Sequence, residues 1–63
     1  MVIEPGMVCY DEFLSAFYLV VQREPRGPNT GRPYLRMIEL ETGVEKIELE
    51  RMMIEDPDIE WLT

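Results

Sequence analysis

The sequence predicts a small, mainly antiparallel β domain, and three observations predict it. Within residues 34–49, YLRMIELETGVEKIEL, two apolar-rich runs flank Glu41-Thr42-Gly43-Val44. Gly43 can take a positive φ at no steric cost, so the chain can reverse there and the stretch reads as a β-hairpin. Residues 16–23, AFYLVVQR, are rich in aromatic and β-branched side chains, which suit a buried strand. Turn residues punctuate the rest, at Pro5-Gly6, through the loop 24–33 (EPRGPNTGRP) and at Asp56-Pro57-Asp58.

Taken in order, residues 1–4 lead into the Pro5-Gly6 turn, and Met7-Val8-Cys9-Tyr10 reads as a short strand. Residues 11–15 mix polar and apolar types and read as a loop before the strand 16–23. A rival reading starts a helix here. Asp11 is a good N-cap, Glu12 suits a first turn, and Asp11, Ser15 and Gln22 fall at helical spacing with Phe13, Phe17 and Val20 on the apolar face. Val20-Val21 and the aromatics favour the strand. The loop 24–33 holds three prolines and two glycines, and Pro33 can open the next strand without losing a needed donor. In that strand Leu35 and Met37 share one face and Ile38 and Leu40 the other. The change of phase between Met37 and Ile38 suggests a β-bulge. After the turn, Ile47 and Leu49 share a face opposite Val44, Lys46 and Glu48. A helical or 3₁₀ turn is expected near residues 49–52, with Met52-Met53-Ile54 as a closing strand. A competing helix over 45–55 lacks a clean apolar stripe. Residues 56–63 are expected as an acidic tail bearing Trp61, outside a domain of residues 1–55.

Composition narrows the functional classes. A chain of 63 residues forms one domain and buries only about 60% of its unfolded surface, leaving little polypeptide for a deep pocket and a supporting catalytic shell. There is no histidine, which removes the commonest general base and zinc ligand. Asp56 and Asp58 alone fall short of a calcium loop. No enzyme, metal or cofactor is expected. Cys9 is the single cysteine, without a visible base to activate it, and reads as a small core residue. A lone thiol and the lack of a signal peptide lead to the expectation of a reducing cytoplasm, and the Met1 start to that of a complete small gene product. The apolar run 16–21 is far shorter than the roughly 20 residues of a membrane span.

The net charge is −7, and its distribution is uneven. Residues 1–36 carry four acids against four arginines and balance, whereas residues 37–63 carry nine acids against Lys46 and Arg51. An acidic surface disfavours phosphate binding and complements a basic partner. Glu39, Glu41, Glu45, Glu48 and Glu50 can imitate a row of phosphates or simply guard a sheet edge against aggregation. Ile59, Trp61 and Leu62 supply apolar anchors in an acidic setting, with Trp61 able either to dock into a partner or to cover the core. Arg23, Arg26, Arg32 and Arg36 cluster around the 24–33 loop with Asn29 and Thr30, and arginine forks suit phosphate or carboxylate.

The pattern resembles the small SH3-like barrels found in many short phage and bacterial proteins. The residues that carry the resemblance are Pro5-Gly6-Met7-Val8, Tyr18-Leu19-Val20-Val21, the run 34–40, Thr42-Gly43 with the run 44–49, and Glu50-Arg51 ahead of a fifth strand. The resemblance covers roughly residues 4–55; the long loop 24–33 and the segment 56–63 depart from it. It implies an all-β SH3-like barrel, a phage-type origin, and binding of peptides, nucleic acids or proteins, without choosing among them. The expectation is a non-enzymatic protein–protein interaction module, a small accessory or inhibitory factor. It would engage the basic surface of a larger protein through Glu45, Glu48, Glu50, Trp61 and Leu62. The alternatives are a nucleic-acid-binding barrel using Arg26, Arg32, Tyr34 and Arg36, and a homo-oligomer built by edge-strand pairing.

Overall fold

The computed structural model describes residues 1–27 and 31–62, so Pro28, Asn29 and Thr30 of the arginine-bearing loop lie outside the described residues. Among the described residues the elements run β1 (Val8–Asp11), β2 (Ala16–Glu24), β3 (Tyr34–Glu39), β4 (Glu45–Leu49), α1 (Glu50–Glu55) and β5 (Ile59–Trp61). The strands form one sheet in the order β4-β3-β2-β1-β5, and every pairing is antiparallel. Among the described residues no pairing joins β4 to β5, so the sheet is all-β in class but not closed.

Period-2 alternation builds the core. Ala16, Tyr18 and Val20 of β2 and Leu35 and Met37 of β3 point to one face, where they pack with Ile3, Cys9 and Met53; Met7, Ile59 and Trp61 cover the margin. The expected alternation of Leu35 and Met37 against Ile38 holds, but the bulge lies elsewhere. β3 alternates without a break, and the register slips on β2, where Val20 faces Met37 and Gln22 faces Arg36. Val21 is the extra residue. The adjacent valines of β2 absorb the phase change that the β3 sequence suggested.

The hairpin forms as expected. Gly43, at φ 75°, donates its N–H to the Glu39 carbonyl at 2.8 Å. The rival helix at Asp11 does not form. Asp11 is buried, and its Oδ1 accepts the Leu14 N–H at 3.2 Å. The same acceptor that would cap a helix closes a tight turn instead. Ser15, in the left-handed region at φ 53°, ends that turn and delivers the chain into β2.

Two expectations at the C-terminal end are corrected. Met52-Met53-Ile54 is not a strand but part of α1, because glutamate, arginine and methionine are all good helix formers. Asp56, in extended conformation at ψ 117°, stops the helix, as the clash with the following Pro57 requires. The described part of the expected tail 56–63, residues 56–62, is not separate from the sheet. β5 pairs with β1, setting Cys9 opposite Trp61 and Asp11 opposite Ile59, so both apolar residues reach the core margin. The start of α1 is tied down by Arg23, whose Nε and Nη2 donate to Glu50 at 2.5 and 3.1 Å, and by the Glu50 N–H donating to the Pro33 carbonyl at 3.0 Å.

Leu35 is fully buried while Val44 is 61% exposed. Leu35→Ala is expected to cost about 2–5 kcal/mol in urea denaturation, a large share of the stability of so small a domain. Val44→Ala is expected to stay within about 0.5 kcal/mol of wild type.

Candidate functional site

Among the described residues a groove of about 400 Å3 opens on the core side of the sheet. One wall is the β1–β2 turn, with Asp11, Phe13 and Leu14. The opposite wall is Lys46 and Glu48 of β4. The floor and far end come from Met52 and Met53 of α1, with Asp56, Asp58 and Ile59. One backbone bond ties the β1–β2 turn to the turn at the far end, the Glu12 N–H donating to the Asp58 carbonyl at 2.9 Å, and within that second turn the Asp58 N–H donates to the Asp56 side-chain Oδ1 at 2.8 Å. Both turns are therefore shaped before any partner arrives.

Phe13 is 82% exposed at the tip of this tethered turn, with Leu14 beside it and Met52 open across the groove. Four carboxylates line the groove, from Asp11, Glu48, Asp56 and Asp58, against one cation, Lys46. The Lys46 ammonium stands 4.3 Å from the centroid of the Tyr18 ring, which engages its charge on the aromatic face. Glu48 comes to the groove because it sits opposite Leu35, and Lys46 because it sits opposite Met37. The inward side of β4 is thus polar, and the inward positions of that edge strand open on the groove instead of filling the core.

The sequence-derived candidates are scattered by the fold. Glu48 lines the groove. Glu50 is held by Arg23, and hydrogen bonding to Glu50 raises the Arg23 pKa further. Glu45 lies 3.7 Å from Arg36 on the far side of the sheet. Trp61 is half-buried against the core and donates its Nε1–H to the Met53 carbonyl at 3.3 Å. Leu62 is exposed beyond β5, its N–H donating to the Val8 carbonyl at 2.9 Å. Glu39 accepts the Thr42 hydroxyl at 3.0 Å.

The arginines are likewise dispersed. Arg23 turns inward to Glu50, and Arg36 turns outward, donating to Gln22 and facing Glu45. Arg26 and Arg32 are exposed, Arg32 lining a small hollow of about 260 Å3 with Pro33, Leu49, Glu50, Arg51 and Ile54. Tyr34 is half-buried at the start of β3. The residues missed by sequence reasoning are Phe13 and Leu14. Their signal was present as two large apolar residues between Asp11 and Ser15, a turn-forming stretch with no strand to bury them.

Among the described residues no group of three or more metal-ligating side chains converges, and no helix is long and apolar enough to cross a membrane. Comparison with known proteins found no family model, no curated protein and no solved structure that matches this chain.

Cys9 is buried, and that burial pushes its thiol up to about 11 from 9.0, a shift that Lys46 opposes and Asp11 adds to. The folded protein therefore holds this proton where the unfolded chain releases it. The contribution is intact below about pH 9 and is lost as pH rises towards 11. Iodoacetamide at pH 8 is expected to leave folded Cys9 unmodified over hours and to label it fully once urea unfolds the chain, as read by intact mass.

Proposed function

We propose that the protein is a non-enzymatic interaction module that holds a basic, partly apolar segment of a larger protein in the groove between Phe13 and Met52. The observation that carries this reading is Phe13, 82% exposed on a turn braced from both ends and bordered by carboxylates. An aromatic side chain displayed on a rigid frame is a low-entropy anchor. The surrounding carboxylates supply steering and selectivity for arginine or lysine. Of the residues proposed from sequence, Glu48 belongs to this site. The role remains that of a small accessory or inhibitory factor acting in the cytoplasm. The finer architectural reading, an SH3-like barrel of the phage type, is supported by the helical segment ahead of the fifth strand. The nucleic-acid reading is the weaker one, since Arg23 and Arg36 already face Glu50 and Glu45.

The test is a tagged capture from host lysate with and without nuclease, followed by titration of the purified partner. One stoichiometric protein that survives nuclease is expected. Phe13→Ala is expected to weaken its affinity about 10- to 30-fold, in the range of an interface anchor. Glu48→Gln with Asp58→Asn is expected to slow association and flatten the salt dependence. Capture that vanishes with nuclease, or affinity indifferent to Phe13→Ala, overturns the assignment.

A further inference from the structure

The side of the sheet turned away from the core is also apolar. Two cross-strand rows build it. Phe17 pairs with Tyr10, the rings 4.7 Å apart between centroids, and its carbonyl accepts the Leu40 N–H at 3.0 Å. Leu19 sits between Val8 of β1 and Ile38 of β3. Ile47 extends the face onto β4, opposite Arg36. Phe17, Leu40 and Ile47 are 47%, 52% and 62% exposed, and none of the described residues covers them.

We propose that a second copy of this chain covers this face, giving a two-fold dimer packed sheet against sheet. Three observations select that occupant. The first is the polarity of β4, which turns Lys46 and Glu48 towards the groove and Ile47 away from it. A strand serving only its own core would be patterned the other way round.

The second is charge. The groove carboxylates Asp11, Glu48, Asp56 and Asp58 gather on the opposite side. On the outer face Glu45 and Glu60 stand on the edge strands, Arg36 of β3 faces Glu45 at 3.7 Å, and Glu24 at the end of β2 accepts from Gln22 Nε2. The rows of Tyr10 with Phe17 and of Val8, Leu19 and Ile38 carry no charge, so two such faces meet there without bringing like charges together.

The third is size. The molecule measures 29 by 23 Å in its two longer dimensions. That bounds one flat face near ~650 Å2, just under the ~800 Å2 per partner of a standard specific interface. An isologous contact of that size adds apolar burial that a 63-residue core lacks.

The experiment is sedimentation of the full chain over a concentration series from about 1 to 500 µM, a span chosen to bracket a micromolar dimer. The expected result is a mass that rises from 7.5 kDa to twice that value. Phe17→Lys and Ile47→Lys, both at exposed positions, are expected to keep the circular dichroism spectrum and to weaken dimerisation at least about 30-fold, as removal of a central anchor does. Phe13→Lys, on the groove side, is expected to leave it unchanged.

A wild-type NMR dilution series stands beside the variants should either fail to fold. Concentration-dependent shifts are expected at the Val8, Leu19 and Ile38 methyls and not at Leu14. A chain that stays monomeric throughout overturns the proposal. So does a dimer indifferent to both lysine variants, which would instead pair through strand edges, and so do shifts centred on the groove. The groove reading is tested separately by capture of its partner, and neither result decides the other.

Discussion

Burial of Val20, Leu35 and Met37 on one side of the β2–β3 ladder is the constraint from which the other features follow. Each buried aliphatic side chain of this kind is worth roughly 1.5–3 kcal/mol, and a domain this small has few of them. Once these residues point inward, the period of the strand forces Leu19 and Ile38 outward. A slip of one residue would exchange the two faces. The bulge at Val21 lets β2 continue past Val20, so that Arg23 comes opposite Leu35 and reaches Glu50. The helix start, the loop end at Pro33 and the long central strand are thereby joined.

The consequence is a sheet with two working sides. The inner side closes a small core in the middle and opens into the groove at its end, where β4 contributes Lys46 and Glu48 in place of hydrophobes. The outer side carries an apolar field from β1 to β4. Neither pattern is required for burying Leu35 or Met37. The polar inner positions of β4 weaken its own core, and the apolar outer positions expose surface that water disfavours. Both make physical sense as contact surfaces, one for a basic segment and one for a matching apolar face.

Much of the architecture was legible because it is local. The hairpin around Gly43, the strand beginning at Ala16 and the alternation of Leu35 and Met37 against Ile38 follow from turn chemistry and period. The closing element was misread, since Met52-Met53-Ile54 is apolar in either state, and the Asp56-Pro57 stop allows a helix as readily as a strand. The bulge was assigned to the wrong strand because one sequence cannot say which partner of a ladder absorbs an extra residue. Of the candidate site, Glu48 was legible as an exposed carboxylate. Phe13 was not, because its turn is positioned by the bond from the Glu12 N–H to the Asp58 carbonyl, 46 positions after Glu12 in the chain.

The amino-acid sequence by itself determined the class of the domain, its strand periodicity, its acidic C-terminal half and its lack of histidine. These depend on side-chain chemistry and near-neighbour spacing. Only the tertiary structure decided that Trp61 serves the core, that Arg23 and Arg36 face glutamates, and that Phe13 shares a groove with four carboxylates. Each of those outcomes is set by the strand order β4-β3-β2-β1-β5, which brings distant residues into register, and pairing across a sheet leaves no mark on the local pattern of any one strand.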